Sequence, residues 1–266
     1  MNDKKIKVSI IMGIYNCEKT LSDCIDSLLN QTYTNWELIM CDDSSTDCTY
    51  KIAKRYAEKY NNIVLLRNKT NKKLSATLNK CLEVAKGEYV ARMDADDISL
   101  PTRLEKQVEF LDNNKEYSVV GCNRIIFDDN GNERVYVSEE MPNKYSLLNG
   151  VPFAHPTIMM RKNVYDKLNG YTVSSRTVRG QDLDLWYRFY KNNFKGYNIQ
   201  EPLYRYRENL NDYKKRTLKA ATGAARTNYY GFKMLNFPRR KYIYLVKPII
   251  SACIPNYIMY KYHNRK

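Results

Sequence analysis

The chain has 266 residues, of which 43% are hydrophobic and 27% charged, enough to bury a sizeable core and enough to exclude a disordered chain. Lysine and arginine number 44 against 29 aspartates and glutamates, a formal charge of +15, and the excess sits at one end. Residues 211–266 carry 13 basic side chains and one acid, Asp212, whereas residues 1–210 carry 31 against 28. A balanced body with a basic tail points to an anionic surface met by the tail, and divides the chain into 1–210 and 211–266. Seven cysteines without a Cys-x-x-Cys pair, and only two histidines, argue against a structural zinc site. Free thiols such as Cys24, Cys41 and Cys81 suit a reducing compartment. No secretion signal opens the sequence, and no apolar run reaches the ~20 residues needed to cross a bilayer. The expectation is a cytoplasmic protein, peripheral on the inner face of the cell membrane.

The first half alternates between strand and helix patterns. Lys7–Ile14 is a near-continuous apolar run, and Glu18–Asn30 follows with Leu21, Ile25, Leu28 and Leu29 at helical spacing. Trp36–Cys41 and Ile63–Leu66 read as strands, with helices over Thr46–Tyr60 and Leu74–Ala85. Glu88–Met93 is a fourth strand, followed by a helix over Pro101–Leu111 that opens on proline. Four such units predict an α/β fold, a mostly parallel sheet with helices on both faces. Beyond Tyr117 the pattern changes. Ser118–Phe127 and Glu133–Val137 flank the turn signal Asp128–Asn132, predicting a hairpin. Thr157–Met160 reads as a short strand, Lys162–Leu168 as a helix stopped at Gly170, and Gly180–Tyr190 as a helix in which Asp184 can pair with Arg188. Trp186 belongs to the core.

Ligands of open parallel sheets bind beyond the carboxyl ends of the strands, and two acidic clusters fall there. Strand two ends in Asp42-Asp43-Ser44-Ser45-Thr46-Asp47, and strand four in Asp94-Ala95-Asp96-Asp97. Either cluster alone reads equally well as turn and helix-capping residues. Together they crowd carboxylates at one edge, which calls for hydrogen-bond donors or a cation such as Mg²⁺ that also takes phosphate oxygens. No Gly-x-x-x-x-Gly-Lys loop occurs, and no Gly-x-Gly-x-x-Gly follows the first strand, which excludes the usual P-loop and dinucleotide sites.

Val8-Ser-Ile-Ile-Met-Gly-Ile-Tyr-Asn16, Gln31-Thr-Tyr33, Asp42–Asp47, Gly87-Glu-Tyr-Val-Ala-Arg-Met-Asp-Ala-Asp-Asp97, Arg103, Gln107, His155-Pro-Thr157 and Gln181-Asp-Leu-Asp-Leu-Trp186 occur in the order found in family 2 glycosyltransferases. Over roughly residues 6–207 the chain resembles these inverting GT-A enzymes, closest to those of bacterial surface-polysaccharide assembly. The resemblance implies transfer of one sugar from a nucleotide sugar, UDP-linked by family preference, to a saccharide acceptor that is lipid-linked, with Mg²⁺ or Mn²⁺ as cofactor. It implies that Asp42 and Asp43 lie by the base, that Ile14, Tyr15 and Asn16 frame base and ribose, and that Asp94 faces ribose and diphosphate. Asp96 matches the metal ligand, Asp182 the general base, and Arg207, with Arg205, the basic residues near the diphosphate, although the two arginines read equally well as snorkelling side chains of a solvated strand. His155 either bonds the diphosphate or acceptor or is a satisfied histidine before Pro156.

Three positions depart from the family pattern: Gly13 replaces a proline, Lys72–Lys73 a loop glycine, and Gln181 a glutamate. A positive φ is harder for lysine than for glycine, and the lost charge at Gln181 makes Asp182 easier to ionise. The alternatives from other classes are a metal-dependent nucleotidyltransferase and a basic nucleic-acid-binding module. The first lacks a Gly-rich phosphate loop after strand one, and the second lacks a basic excess on the body and any recognised nucleic-acid motif, so no nucleic-acid partner is expected. The tail, with Lys214, Lys215, Arg216, Lys219 and Arg239-Arg240-Lys241 before a Tyr- and Ile-rich stretch broken by Lys247, Pro248, Pro255 and Asn256, predicts in-plane helices on an anionic membrane. The alternative is a helix pair packed on the catalytic domain, its basic face merely solvated.

Overall fold

The structure, a computed structural model, describes residues 5–208 and 217–255. The apolar runs of the first half form parallel strands β1 (Val8–Ile14), β2 (Trp36–Asp42), β3 (Ile63–Arg67) and β4 (Tyr89–Arg92), ordered β3-β2-β1-β4. They alternate with α1 (Leu21–Leu29), α2 (Thr49–Lys59), α3 (Lys73–Val84) and α4 (Arg103–Asn113). Alternate residues of β1 enter two cores. Ile10 and Met12 pack with Ile25, Ile52 and Leu104 of α1, α2 and α4, while Ile11 joins the core that holds Leu78 of α3. Burial on both faces is why these strands read as unbroken apolar runs.

The first two helices begin later than their periodicity predicts. Before α2, Cys48 N donates to Glu18 Oε2 (2.8 Å) and Thr49 N to Asp47 Oδ1 (3.0 Å), so side chains hold these groups in place of helical bonding.

Beyond β4 the sheet continues as β8-β6-β9-β5: β8 (Met159–Arg161), β6 (Tyr117–Phe127), β9 (Lys195–Arg207) and β5 (Ile98–Ser99), with β7 (Glu133–Tyr136) bonded to β6. Followed through the pairings, six of the nine strands among the described residues run one way, and β5, β7 and β8 run the other. The β6–β7 hairpin forms at the predicted turn, where Asp128 Oδ1 accepts from Asn130 N (2.9 Å) and Asn132 N (3.0 Å). The stretch predicted as one strand over Thr157–Met160 divides into a 3₁₀ turn, His155–Thr157, and β8. The helices α5 (Lys162–Lys167) and α6 (Gln181–Lys191) follow, and Arg188 Nε pairs with Asp184 Oδ2 at 2.8 Å. Strand β9 carries Glu201 and Pro202 in its middle, at a register shift beside Cys122 and Asn123, so the proline meets the ladder at a bulge.

Past the boundary at 210, α7 (Leu218–Met234) lies against α6. A Cβ on Gly231 would stand 2.3 Å from the Tyr187 ring, so only glycine admits this approach. Phe232, Leu235 and Phe237 enter the second core, and Tyr187 OH donates to Asn228 Oδ1 (2.8 Å). A 3₁₀ stretch, Arg239–Val246, and α8 (Lys247–Cys253) follow, with no buried residue in either. Of the tail residues singled out in the sequence, Asp212, Lys214, Lys215, Arg216 and Asn256 lie outside the described residues.

The loop before α3 adopts the conformation that its lysines disfavour. Lys73 has φ +69, and Asp43 holds it there by accepting from Lys72 N (2.7 Å) and Lys73 N (2.9 Å). A left-handed lysine costs about 1 kcal/mol. Lys73→Gly is therefore expected to raise the unfolding free energy by up to about 1 kcal/mol in a urea titration. An unchanged or lower midpoint would contradict this.

Candidate active site

The loops leaving β1 and β2 are joined to one another. Asn16, at φ +48, accepts at Oδ1 from Thr46 N (2.9 Å), and its own N–H donates to Ser45 Oγ (3.1 Å). Both aspartates at the end of β2 are engaged by the surrounding loops. Asp42 is fully buried, pairs with Arg67 Nε (3.0 Å) and accepts from Ser45 N (3.3 Å). Asp43, also buried, accepts from Asn68 Nδ2 (2.8 Å) as well as from the two lysine N–H groups. Neither side chain lines the cleft; they shape the loops around it. Ile14 is buried and contributes its carbonyl, which accepts from Asp43 N (2.9 Å), while Tyr15 and Asn16 line the cleft.

The acidic loop after β4 is strapped to the end of β9. Asp97, buried, accepts from Tyr204 OH (2.9 Å) and from Arg207 N (2.7 Å), and Asp94 N donates to the same tyrosine oxygen (3.3 Å). Burial first, then the charges of Asp94 and Asp96, raise the Asp97 carboxyl well above the usual range. Arg207 Nε donates to the Asp96 carbonyl (3.0 Å), and its guanidinium also pairs with Asp129. Arg205 instead pairs with Glu133. Asp94 Oδ1 pairs with the buried Arg92 Nη2 at 2.5 Å.

Behind this loop stand two buried polar residues of α4, four positions apart. Arg103 Nη2 donates to the carbonyls of Arg92 (2.8 Å) and Pro156 (3.1 Å), and its Nε to Gln107 Oε1 (3.2 Å). Gln107 Nε2 donates to Thr157 O (2.7 Å). The pair holds the turn carrying His155 against the end of β4. Gln31 fastens α1 to the start of α4, with Nε2 donating to Leu100 O (2.8 Å) and Oε1 accepting from Leu104 N (3.1 Å).

The cleft has two compartments. The first, about 1230 Å³, is lined by Tyr15, Asn16, Asp94, Asp96 and Arg207, with Gly13 at its edge. The second, about 840 Å³, is lined by Asp94, His155, Gln181 and Asp182. Asp94 and Leu74 line both, so the compartments meet there. Asp182 is half-buried in the first turn of α6, its Oδ1 accepting from Leu183 N (2.8 Å), and burial raises its pKa above the ordinary carboxylate value. His155 is buried, with Nε2 bonded to Tyr171 OH (2.8 Å) and Nδ1 without a partner among the described residues. Burial, then the Arg92 charge, hold its pKa well below the usual value, so the ring is neutral at physiological pH. Trp186 is wholly buried beside it.

Among the described residues no group of three His, Cys, Asp or Glu side chains is placed to hold an ion. Asp96 and Asp94 offer two carboxylates in the first compartment. One or two carboxylates, with phosphate and water completing the shell, is how Mg²⁺ binds nucleotides, so these residues fit a cation bound together with a diphosphate.

Residues 9–169 match the family model for glycosyl transferase family 2. The chain belongs to that family. It is 48% identical over 261 residues to the putative glycosyltransferase EpsE of Bacillus subtilis (strain 168), covering 98% of this chain and 94% of that one. It is 33% identical over 186 residues, 70% of each chain, to WfgD of Escherichia coli, named a UDP-Glc:alpha-D-GlcNAc-diphosphoundecaprenol beta-1,3-glucosyltransferase. In fold it is similar to residues 1–349 of Staphylococcus aureus TarS in complex with UDP-GlcNAc, with a TM-score of 0.65 at 19% identity over 93% of this chain and 82% of that one. The family fold thus agrees with the GT-A-like architecture expected from the sequence.

Sequence reasoning left out Asp97 and Tyr204 as the strap of the acidic loop. The available signal was a third acid directly after the Asp-x-Asp pair and an alternating Tyr/Arg stretch in β9. Arg103→Lys keeps the charge but loses the fork that serves several buried carbonyls. It is expected to lower stability by about 2 kcal/mol in chemical unfolding, and an unchanged midpoint would remove Arg103 from this role.

Proposed function

We propose that the protein is a metal-dependent, inverting glycosyltransferase that moves one sugar from a UDP-linked donor to a lipid-linked saccharide in surface-polysaccharide assembly. The observation that carries this reading is the two-compartment cleft meeting at Asp94, with Asp96 and Arg207 on one side and Asp182 on the other. An in-line displacement needs that separation: compensation of charge at the leaving diphosphate, and a base for the attacking hydroxyl on the opposite face. The donor and acceptor named for WfgD support the choice of substrates.

In this reading Tyr15 and Asn16 border the nucleotide, Arg207 compensates the diphosphate, and Asp96 holds the cation. A bound Mg²⁺ or Mn²⁺ would supply electrostatic stabilisation of the departing phosphate. Asp182 takes the proton from the acceptor hydroxyl as it attacks C1. Its burial makes it a stronger base than an exposed aspartate, at the cost of earlier protonation as pH falls.

Asp182→Asn is expected to retain donor binding and lose at least ~10²-fold in turnover. The acidic limb of the wild-type pH profile should lie above the ordinary carboxylate range of about 4, and Gln181→Glu should move it higher by adding a like charge. The product should have inverted anomeric configuration. A retained configuration by NMR would overturn the mechanism and the role of Asp182.

The membrane part of the reading rests on the surface after α7. Ile243 is 68% exposed and Ile250 58%, with Val246 and Ile249 also open to solvent, beside Arg239, Arg240, Lys241 and Lys247. No helix among the described residues is long and apolar enough to cross a membrane. Short helices with apolar tips and a basic surround suit an anionic lipid face, where each basic residue contributes about 1 kcal/mol. In flotation with anionic liposomes, the full chain should bind and salt should weaken it. Ile243→Ser with Ile250→Ser should reduce binding, and equal flotation of variant and wild type would remove this surface from the account.

A further inference from the structure

The second compartment contains a cation that the mechanism above does not use. Arg124 lies half-buried on β6, in the wall formed by β7, β6 and β9. The strand register sets Tyr136 directly across from Arg124, and sets Arg134 and Tyr206 across from Ile126 on either side. These five side chains share one face of the sheet, and all five line the compartment. The Arg124 guanidinium stands 4.0 Å from the Tyr136 ring centroid and 5.8 Å from that of Tyr206.

Four other arginines near the cleft have a carboxylate or a set of carbonyls to serve. Arg92 pairs with Asp94, Arg134 with Glu208 (3.5 Å), Arg207 with Asp129, and Arg103 donates to main-chain carbonyls. Among the described residues Arg124 has no paired carboxylate and no hydrogen-bond acceptor; its contacts are the two rings, and Glu208 acts on it only at a distance. Ring stacking fixes the plane of the guanidinium and leaves its N–H edge to bond in that plane. A charged fork held this way, partly withdrawn from water and with no carboxylate in contact among the described residues, is organised for an oxyanion. Arg134 and Arg179 also line the space, as do Glu208, the partner of Arg134, and Asp94, the partner of Arg92.

We propose that Arg124 is a specificity-determining residue that binds an oxyanion carried by the acceptor, either a phosphate at its lipid-linked end or the carboxylate of an acidic sugar. The inference rests on the glycosyltransferase reading and deepens it, assigning the acceptor a negative charge close to the reacting sugar. The compartment, about 840 Å³, is large enough to hold such a group together with a sugar.

The test is calorimetric titration of the full chain, saturated with UDP and Mn²⁺ so that the donor compartment is filled. The probes are geranyl diphosphate, glucuronate and a neutral geranyl glucoside. One of the anions should bind at least ~10-fold more tightly than the neutral compound, with an affinity that falls as salt rises. Geranyl diphosphate would assign the oxyanion to the lipid-linked end, and glucuronate to an acidic sugar. Arg124→Gln should abolish the preference, and Arg124→Lys, which keeps charge without the fork, should retain part of it, while UDP affinity stays unchanged in both. A wild type that does not distinguish either anion from the neutral probe, or a preference that survives in a folded Arg124→Gln, overturns the proposal. Failure of the wild type to bind UDP would count instead against the glycosyltransferase reading.

Discussion

The buried carboxylate of Asp97 is the joint on which the rest of the site depends. It accepts from Tyr204 OH and from the Arg207 main chain, residues more than a hundred positions away, and so ties the acidic loop after β4 to the far end of β9. Through that joint Asp94, Asp96 and Arg207 come to line one compartment, although they leave the sheet from two strands that are not neighbours. Arg103 and Gln107 brace the same loop from behind, and also hold the His155 turn of the second compartment. Buried charge is costly unless it is bonded, and here the bonds run between segments that must be held in register.

The parallel half of the fold was legible because its strands are covered on both faces, which leaves unbroken apolar runs between helical periods. In the mixed half the β6–β7 hairpin and the helices α5 and α6 were legible too, but the sheet order was not. β9 carries a glutamate and a proline at its bulge, and its pairing with β6 cannot be read from local alternation. At the site, Asp94, Asp96, Asp182, Arg207, Tyr15 and Asn16 are residues the sequence singles out and the structure places along the cleft. Asp42 and Asp43 were singled out too, yet their carboxylates serve the loops after β2 and β3. Residue type cannot tell which main-chain N–H groups will converge on a carboxylate. That information lies in the strained loop at Lys73, which forms only once β3 and α3 are in place.

The tail combines two physical characters that composition alone could not separate. Its first helix, α7, is a packing element, drawn onto α6 by the close approach at Gly231 and by Phe232. The short helices after it leave isoleucines in solvent beside basic residues. In the proposed function one chain thus carries both a cleft for a water-soluble donor and a surface for an anionic membrane.

The central claim is that the edge at Asp94–Asp96 receives a nucleoside diphosphate with its cation. A crystal of the full chain soaked with UDP and Mn²⁺ tests it most directly. The account predicts the diphosphate in the first compartment between Asp96 and Arg207, with the cation on Asp96 and the uridine against Tyr15 and Asn16. A nucleotide bound elsewhere, or a cation held without Asp96, would contradict it.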